Sequence, residues 1–210
     1  MVSLLNYTLM PWLLYRVVRD RPGLLHDLTS VVNNLGLDTT SGIGNTRAIM
    51  LGVNRDPIPF IKGLTTEGVE LINVINESVI PIAFSRRQFI NALKNVLQQV
   101  GVQELGRTLY RLGYEYARAS VTEISLGNPI TTVRTLLYTA TAYNRLAFRS
   151  FEVVGDEVKV EFETPFDEEL DSAFTEGYVH GLINTALSKL HVIRTSRVGN
   201  TYISIARPYS

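Results

Sequence analysis

Residues 15–36, YRVVRDRPGLLHDLTSVVNNLG, decide the fold of the first part of the chain. Val17 and Val18 are β-branched and favour a strand, and Pro22 and Gly23 indicate a tight corner that leads into a helix. Gly36 suits the left-handed conformation that commonly ends a helix. Between the corner and Gly36, apolar residues recur at the three- and four-residue spacing of a helix: Leu24, Leu25, Leu28, Val31, Val32 and Leu35.

The corner and the helix resemble the first β-α unit of the ACT domain, a small regulatory module that commonly binds amino acids. The resemblance implies an amino-acid site at the corner, at a subunit interface as in similar domains. The first turn of a helix leaves backbone N–H groups unpaired, and its dipole favours an anion such as an α-carboxylate. The alternative is a plain tight turn before a core helix. The residues that carry the resemblance and the implied site are Asp20, Arg21, Pro22, Gly23, Leu24 and Leu25.

The rest of the first third completes a βαββαβ order, as the ACT resemblance implies. A first strand is predicted over 7–18, paired strands over 37–44 and 47–53, a short second helix over 59–66 and a last strand over 69–75. The second helix is short and rich in proline and glycine for its role, which departs from the family pattern. The resemblance covers residues 8–77 and implies a ferredoxin-like domain.

The composition is that of an ordinary globular protein, with 45% apolar and 19% charged residues. Twenty basic residues balance twenty acidic ones, so the net charge does not indicate binding to nucleic acid or to an anionic membrane. The absence of cysteine excludes disulfides, thiol nucleophiles and thiolate metal sites. The apolar start is interrupted by Pro11 and Arg16 and lacks a cationic n-region, so neither export nor a membrane span is predicted. We expect a soluble, cytoplasmic protein.

The polar stretch Asn76-Glu77-Ser78, followed by Pro81, predicts a linker over 78–85 between an ACT-like domain, 1–77, and a second domain, 86–210. The second domain begins with helical periods over 89–100, 104–121 and 129–147. Strand pairs then turn at Gly155 and at Gly199-Asn200, with a helix over 169–189 between the two pairs. Gly106 and Gly113 are unusual inside a helix and predict close backbone packing there.

Residues 86–207 resemble the 4-vinyl-reductase-type small-molecule-binding domain, which is related in fold to TRAPP and haem–nitric-oxide-binding domains. The closest match is 174–206, with GYVHGL over 177–182 and the corner Gly199-Asn200. The resemblance implies an apolar cavity among helices and a sheet. The family often carries cysteines near the last hairpin that bind a metal, but this chain has none, so the metal site does not carry over and no cofactor is expected. The whole chain is thus predicted as α+β.

Tyrosines on the helices of the second domain are candidate residues of such a cavity. Pockets for small molecules are commonly lined by aromatic side chains with a few polar groups. The alternative for each tyrosine is an ordinary core or surface position. The candidates for the ligand site are Tyr110, Tyr114, Tyr143 and Tyr178.

No catalytic constellation is visible in the sequence. The three histidines, His26, His180 and His191, are scattered, and HExxH, GxSxG, P-loop and GxGxxG motifs are absent. His180 is expected near the polar flank of its helix, as a core or surface residue rather than a ligand. We therefore expect that the protein is not an enzyme.

A regulator that binds DNA directly is the alternative function. Residues 93–113 faintly imitate a helix-turn-helix, with Arg107 and Arg111 on the second helix. Charge is uneven along the second domain, with nine basic residues against three glutamates over 86–149, and ten acids against one lysine over 152–176. These are solvated faces or the two sides of a subunit contact.

The favoured interpretation is a small-molecule-sensing regulatory protein without catalytic activity. An amino acid would bind at the ACT-like corner and a hydrophobic compound in the cavity of the second domain. The signal would pass through a homodimer or larger homo-oligomer to a protein partner, in a role such as transcription regulation.

Overall fold

The computed structural model of the chain describes residues 10–77, 86–99, 105–124, 126–164, 169–187 and 191–209. The chain divides into two compact units, residues 1–81 with 141–143 and residues 82–140 with 144–210. The predicted linker, 78–85, lies outside the described residues, and the domain limits 1–77 and 86–210 stay predictions. No helix in the described ranges is both long and apolar enough to cross a membrane.

The first unit has the order βαββηβ, where η is a short 3-10 helix. Its four strands form one antiparallel sheet in the order β2-β3-β1-β4, which is the order of a ferredoxin-like βαββαβ fold. The elements are β1 Met10–Val17, α1 Leu24–Asn34, β2 Thr39–Gly44, β3 Ala48–Val53, the 3-10 helix Ile58–Gly63 and β4 Val69–Glu77.

The predicted second helix of the first unit is replaced by the 3-10 helix. This helix has six residues and begins with Pro59 close to its first position. Proline supplies no N–H and glycine disfavours a regular helix, so a segment that runs from Pro57 to Gly63 forms a tight turn more readily than an α-helix. The prediction of a helix over 59–66 was therefore right in position and wrong in type.

The core of the first unit lies between α1 and one face of the sheet. Leu13 and Tyr15 of β1 face this core because alternate residues of a strand share a face, and Leu28 and Val32 of α1 have no exposed surface. The 3-10 helix is followed by Leu64, which closes the same core. The leucine spacing read from 24–35 thus marks the side of α1 that packs on the sheet.

The described part of the second unit contains four helices and a second antiparallel sheet, with strand order β5-β6-β8-β7. Two antiparallel sheets with several helices confirm the predicted α+β class. The elements are α2 Arg86–Gln99, α3 Leu105–Glu123, α4 Pro129–Ala142, β5 Ala147–Val154, β6 Glu157–Glu163, α5 Glu169–Ala186, β7 His191–Val198 and β8 Thr201–Pro208.

The two hairpins of this sheet turn where the sequence predicts. Gly155 and Gly199 both have positive φ, 60° and 61°, which glycine adopts without strain. α4 ends at Ala142, five residues before the predicted end at 147. Asn144 explains the difference, because its φ of 57° is left-handed and ends the helical path.

Three glycines let the backbones of α3 and α5 touch. A Cβ on Gly113 would overlap the carbonyl oxygen of Phe174, and a Cβ on Gly177 would overlap that of Tyr110. A Cβ on Gly181 would lie 2.6 Å from the carbonyl oxygen of Tyr114. The predicted close packing is confirmed at Gly113 and wrong at Gly106, where a Cβ would meet nothing within 4 Å.

Candidate functional site

The six residues predicted at the N-terminal corner lie together at the start of α1. Gly23 is the N-cap with a left-handed φ of 82°, and no side chain caps the helix. Leu24 is buried in the core of the first unit, whereas Leu25 points to solvent. Asp20 and Pro22 are also exposed. The corner is therefore a surface site in which one residue anchors the helix and the others remain accessible.

Arg21 is the cation of this corner. Its Nη2 lies 2.6 Å from Oδ2 of Asp27 in the first turn of α1. An acid there also interacts favourably with the helix dipole. An anion that binds at the corner would meet backbone N–H groups and a guanidinium that already has a carboxylate partner, so it would compete with Asp27 for Arg21.

The four candidate tyrosines of the cavity do not form one group. Tyr110, Tyr114 and Tyr178 belong to the second unit, whereas Tyr143 falls with the first. Tyr178 is buried and its hydroxyl lies 3.4 Å from the carbonyl oxygen of Leu136. Tyr110 and Tyr114 are half-buried and lie one turn apart on α3.

Tyr110 is the end of a chain of polar side chains that runs into the second unit. Its hydroxyl lies 2.7 Å from Nδ1 of His180 on α5. Nε2 of His180 lies 2.8 Å from Oγ1 of Thr195 on β7, which in turn lies 2.7 Å from Oγ of Ser204 on β8. We call these four residues the polar chain; it links two helices to two neighbouring strands.

Burial sets the charge state of the polar chain. It lowers the pKa of His180 to about 4, so the imidazole is neutral near pH 7. It also raises the pKa of Tyr110, to which Tyr114 and Glu176 add smaller electrostatic effects. Burial likewise raises the pKa of Glu176, one turn before His180 on α5. The polar chain is therefore neutral, and the carboxyl group of Glu176 is partly desolvated.

His180 departs from the sequence-based expectation. It was expected on the polar flank of α5, but only 7% of it is exposed. Most residues of α5 from Thr175 to Ile183 are buried, so this helix has no polar flank there. Thr195, Ser204 and Glu176 were not predicted as site residues at all. The sequence feature that could have indicated the burial of His180 is the spacing of Gly177 and Gly181 on either side of it. Both glycines lie where α5 contacts the backbone of α3.

The polar chain is poorly suited to acid–base catalysis. Both ring nitrogens of His180 are engaged by protein hydroxyls, so neither is available to a substrate proton without breaking an internal hydrogen bond. In the part of the chain that the structure describes, no group of three or more His, Asp or Glu side chains is placed to hold a metal ion.

An open surface depression lies on α3. All of its lining residues belong to this one helix, so it does not correspond to the predicted apolar cavity among helices and a sheet, which stays a prediction. The lining residues are Glu115, Arg118, Ala119, Thr122 and Glu123.

Comparisons with known proteins add little. No family model matches the chain, and no curated protein matches it. Among solved structures, the crystal structure of the phenol-responsive sensory domain of the transcription activator PoxR with phenol is similar, with a TM-score of 0.44 and 13% sequence identity. The match covers 68% of this chain and 81% of that one. A similarity at this level carries no argument, so the ACT and 4-vinyl-reductase resemblances stay predictions.

Proposed function

We propose that the chain is a small-molecule-sensing regulatory protein without catalytic activity. Its second unit would bind a hydrophobic compound, and the corner before α1 would bind an amino acid. The observation that carries the proposal is the polar chain, because it runs from the buried Ser204 and His180 to the half-buried Tyr110 and fixes the position of its hydroxyl. Small-molecule sites typically combine apolar walls with a few fixed polar groups.

The state of His180 supports binding over catalysis. A neutral histidine with two hydroxyl partners holds Tyr110 in place rather than moving protons. A tyrosine hydroxyl held in this way is preorganised to recognise one orientation of a ligand, because little side-chain freedom remains to be lost on binding.

The N-terminal corner supports a second, anionic ligand group. The first turn of α1 has no side-chain cap, and the left-handed Gly23 leaves open space where a side chain would stand. An α-carboxylate there would accept hydrogen bonds from backbone N–H groups. The α-amino group would then face the exposed carboxylate of Asp20.

A subunit contact would pass the signal on. Val96 of α2 and Leu112 of α3 are about half-exposed apolar residues of the second unit, and burying them in a homodimer would be favourable. The uneven charge over 86–149 and 152–176 supplies opposite faces for such a contact or for a partner protein.

Native mass spectrometry of the gently purified full chain, followed by extraction under denaturing conditions, tests the proposal. A dimer that carries a small apolar compound or an amino acid is the expected result. A monomer with nothing retained, and no shift in melting temperature with amino acids or small aromatic compounds, would contradict it. Salt-sensitive retention of duplex DNA by the same preparation would favour the DNA-binding alternative instead.

The corner is tested separately by Arg21→Gln, with Arg19→Gln as the matched control. Arg19 lies on the same loop, is exposed, and approaches Glu67 only at 3.8 Å. Thermal shift with a panel of single amino acids should weaken for Arg21→Gln and stay at the wild-type value for Arg19→Gln. Equal shifts in both variants would exclude the corner as the amino-acid site.

A further inference from the structure

The polar chain has one more hydrogen-bond donor than it has short links. The three hydroxyls of Tyr110, Thr195 and Ser204 bring one proton each, and neutral His180 brings one N–H. The short links join Tyr110 to His180, His180 to Thr195 and Thr195 to Ser204. One proton therefore finds no acceptor along this path.

The energetic cost of the unused proton depends on which residue carries it. Ser204 has no exposed surface, and its neighbours among the described residues are Thr195 and, at 3.5 Å, Nε2 of His180. A buried donor without an acceptor loses its interaction with water and gains nothing in return. Tyr110 at the other end is half-buried and reaches the surface of the unit. The unused proton is therefore best placed on Tyr110.

With the unused proton on Tyr110, all the hydrogen bonds of the polar chain are donated in one direction. The hydroxyl of Ser204 donates to Thr195, Thr195 donates to Nε2 of His180, and Nδ1–H of His180 donates to the oxygen of Tyr110. Oγ of Ser204 also lies 3.5 Å from Nε2 of His180, a distance that either tautomer allows. If Thr195 instead accepted from both neighbours, the proton would lie on Nε2, which is the opposite tautomer.

The phenolic proton of Tyr110 then points away from His180. Glu176 lies one turn before His180 on α5, so it shares a side of that helix with the imidazole that holds Tyr110. Its charge raises the pKa of Tyr110, but no hydrogen bond joins the two side chains in the described structure. Across the described ranges, Glu176 itself is half-buried and takes part in no hydrogen bond or ion pair. The hydroxyl of Tyr110, which has a proton to donate, and the carboxylate of Glu176, which can accept one, thus lie on either side of the turn of α5 that carries His180.

We propose that Tyr110 and Glu176 are the polar end of the ligand site in the second unit, and that the site takes an uncharged compound with an acceptor oxygen for Tyr110 and an N–H donor for Glu176. A primary carboxamide on an apolar body has this pattern. The inference rests on the proposed function and names the ligand class for it. An anionic ligand is disfavoured because the carboxylate of Glu176 would repel it.

The direction of the chain is tested first, without any ligand. Long-range ¹H–¹⁵N correlation spectra of the ¹⁵N-labelled full chain at pH 7 identify which ring nitrogen of each histidine carries the proton, with His180→Gln used for assignment. The Nδ1–H tautomer is expected for His180, and Ser204→Ala should keep it. The Nε2–H tautomer in the wild type would overturn the assignment of the free donor to Tyr110.

The ligand class is tested by calorimetric titration of the full chain with benzamide, benzoate and toluene. Benzamide should bind most tightly, and Tyr110→Phe and Glu176→Gln should each weaken it about tenfold, the effect of losing one hydrogen bond. Tyr209→Phe and Glu123→Gln change the same groups at exposed positions and should bind as the wild type. Circular dichroism melts confirm that each variant is folded.

The outcomes separate this inference from the proposed function. Toluene or benzoate binding as well as benzamide would overturn the ligand class. Benzamide binding that is unaffected in both Tyr110→Phe and Glu176→Gln would move the site elsewhere, although the protein would still bind small molecules. Absence of benzamide binding, with a different retained compound in native mass spectrometry, would overturn the class and leave the sensing function in place.

Discussion

In the first unit, Tyr15 lies without exposed surface among leucine and valine side chains, and its hydroxyl has no partner in the described structure. In the second unit, Tyr110 is half-buried and its hydroxyl is 2.7 Å from His180. The first unit thus tolerates an unsatisfied hydroxyl for the sake of apolar packing. In the second unit, the oxygen of the Tyr110 hydroxyl is instead held by His180, which is itself held by Thr195 and, through it, by Ser204.

The helices differ in the same way. α1 packs on its sheet through side chains such as Leu28 and Val32, whereas α3 and α5 meet backbone to backbone at Gly113 and Gly177. Stability in the first unit follows the apolar area removed from water. The second unit also buries apolar side chains, but its stability depends in addition on the contact between two backbones, which a single added methyl group would displace.

The largest expected effect is that of Gly177→Ala. The added Cβ would overlap the carbonyl oxygen of Tyr110, and backbone cannot move aside as a flexible side chain can. We expect the second unit to lose its cooperative unfolding transition in urea, monitored by circular dichroism. Gly106→Ala on α3 is the matched control, because open space surrounds Gly106 and the change should cost nothing. Equal behaviour of the two variants would refute the backbone contact.

Leu28→Ala tests whether the first unit depends on apolar area. Leu28 has no exposed surface, so its truncation should lower the free energy of unfolding by about 3–4 kcal/mol through lost burial and a cavity. Leu25 lies on the same helix and is 54% exposed, so Leu25→Ala should change it by less than about 0.5 kcal/mol. Urea denaturation followed by the fluorescence of Trp12, the single tryptophan, measures both.

Acidification should destabilise the second unit through His180. The unfolded chain takes up a proton near pH 6.5, whereas folded His180 stays neutral down to about pH 4. The free energy of unfolding should therefore fall by about 3 kcal/mol between pH 7 and pH 4 and level off below.

The control for the pH experiment is His180→Gln, whose stability should vary less with pH over the same window. Glu176 contributes with the opposite sign, because its raised pKa favours the folded state as the pH falls. The difference between wild type and variant isolates His180, since Glu176 titrates in both. Parallel pH profiles would show that His180 is not held neutral.

The smallest pair of effects contrasts the two tyrosines directly. Tyr15→Phe removes a buried hydroxyl that has no partner and should raise the free energy of unfolding by about 1 kcal/mol. Tyr110→Phe removes a hydroxyl that is hydrogen-bonded to His180 and should lower it by about 1 kcal/mol. Changes of the same sign in the free energy of unfolding would show that the two hydroxyls do not differ in hydrogen bonding as described.

Much of the fold was readable from the sequence because its signals are local. The spacing of Leu24, Leu28 and Val32 predicts the buried side of α1, and Gly155 and Gly199 predict the two hairpin corners of the second sheet. The end of α4 was predicted too late, because an asparagine in the sequence does not by itself indicate the end of a helix. In the structure, the left-handed conformation of Asn144 ends α4.

The polar chain could not be predicted because it depends on distant pairs. Tyr110 and His180 are 70 positions apart, and His180 and Thr195 are joined only when α5 packs beside β7. A helix that is buried on most sides has no amphipathic period from which the depth of one histidine can be read. Of the predicted cavity residues, Tyr110 belongs to the polar chain, Tyr114 lies one turn further along α3, and Tyr178 is buried.

The glycine contact between α3 and α5 also has a mechanical meaning. Helices separated by side chains can shift slightly against each other when those side chains change rotamer. Where two backbones are in contact, no side chain lies between them to allow such a shift. A push on the turn of α3 that carries Tyr110 is therefore transmitted directly to the turn of α5 that carries Glu176 and His180. We therefore expect α3 and α5 to move as one rigid body, because their backbones are in direct contact at Gly177.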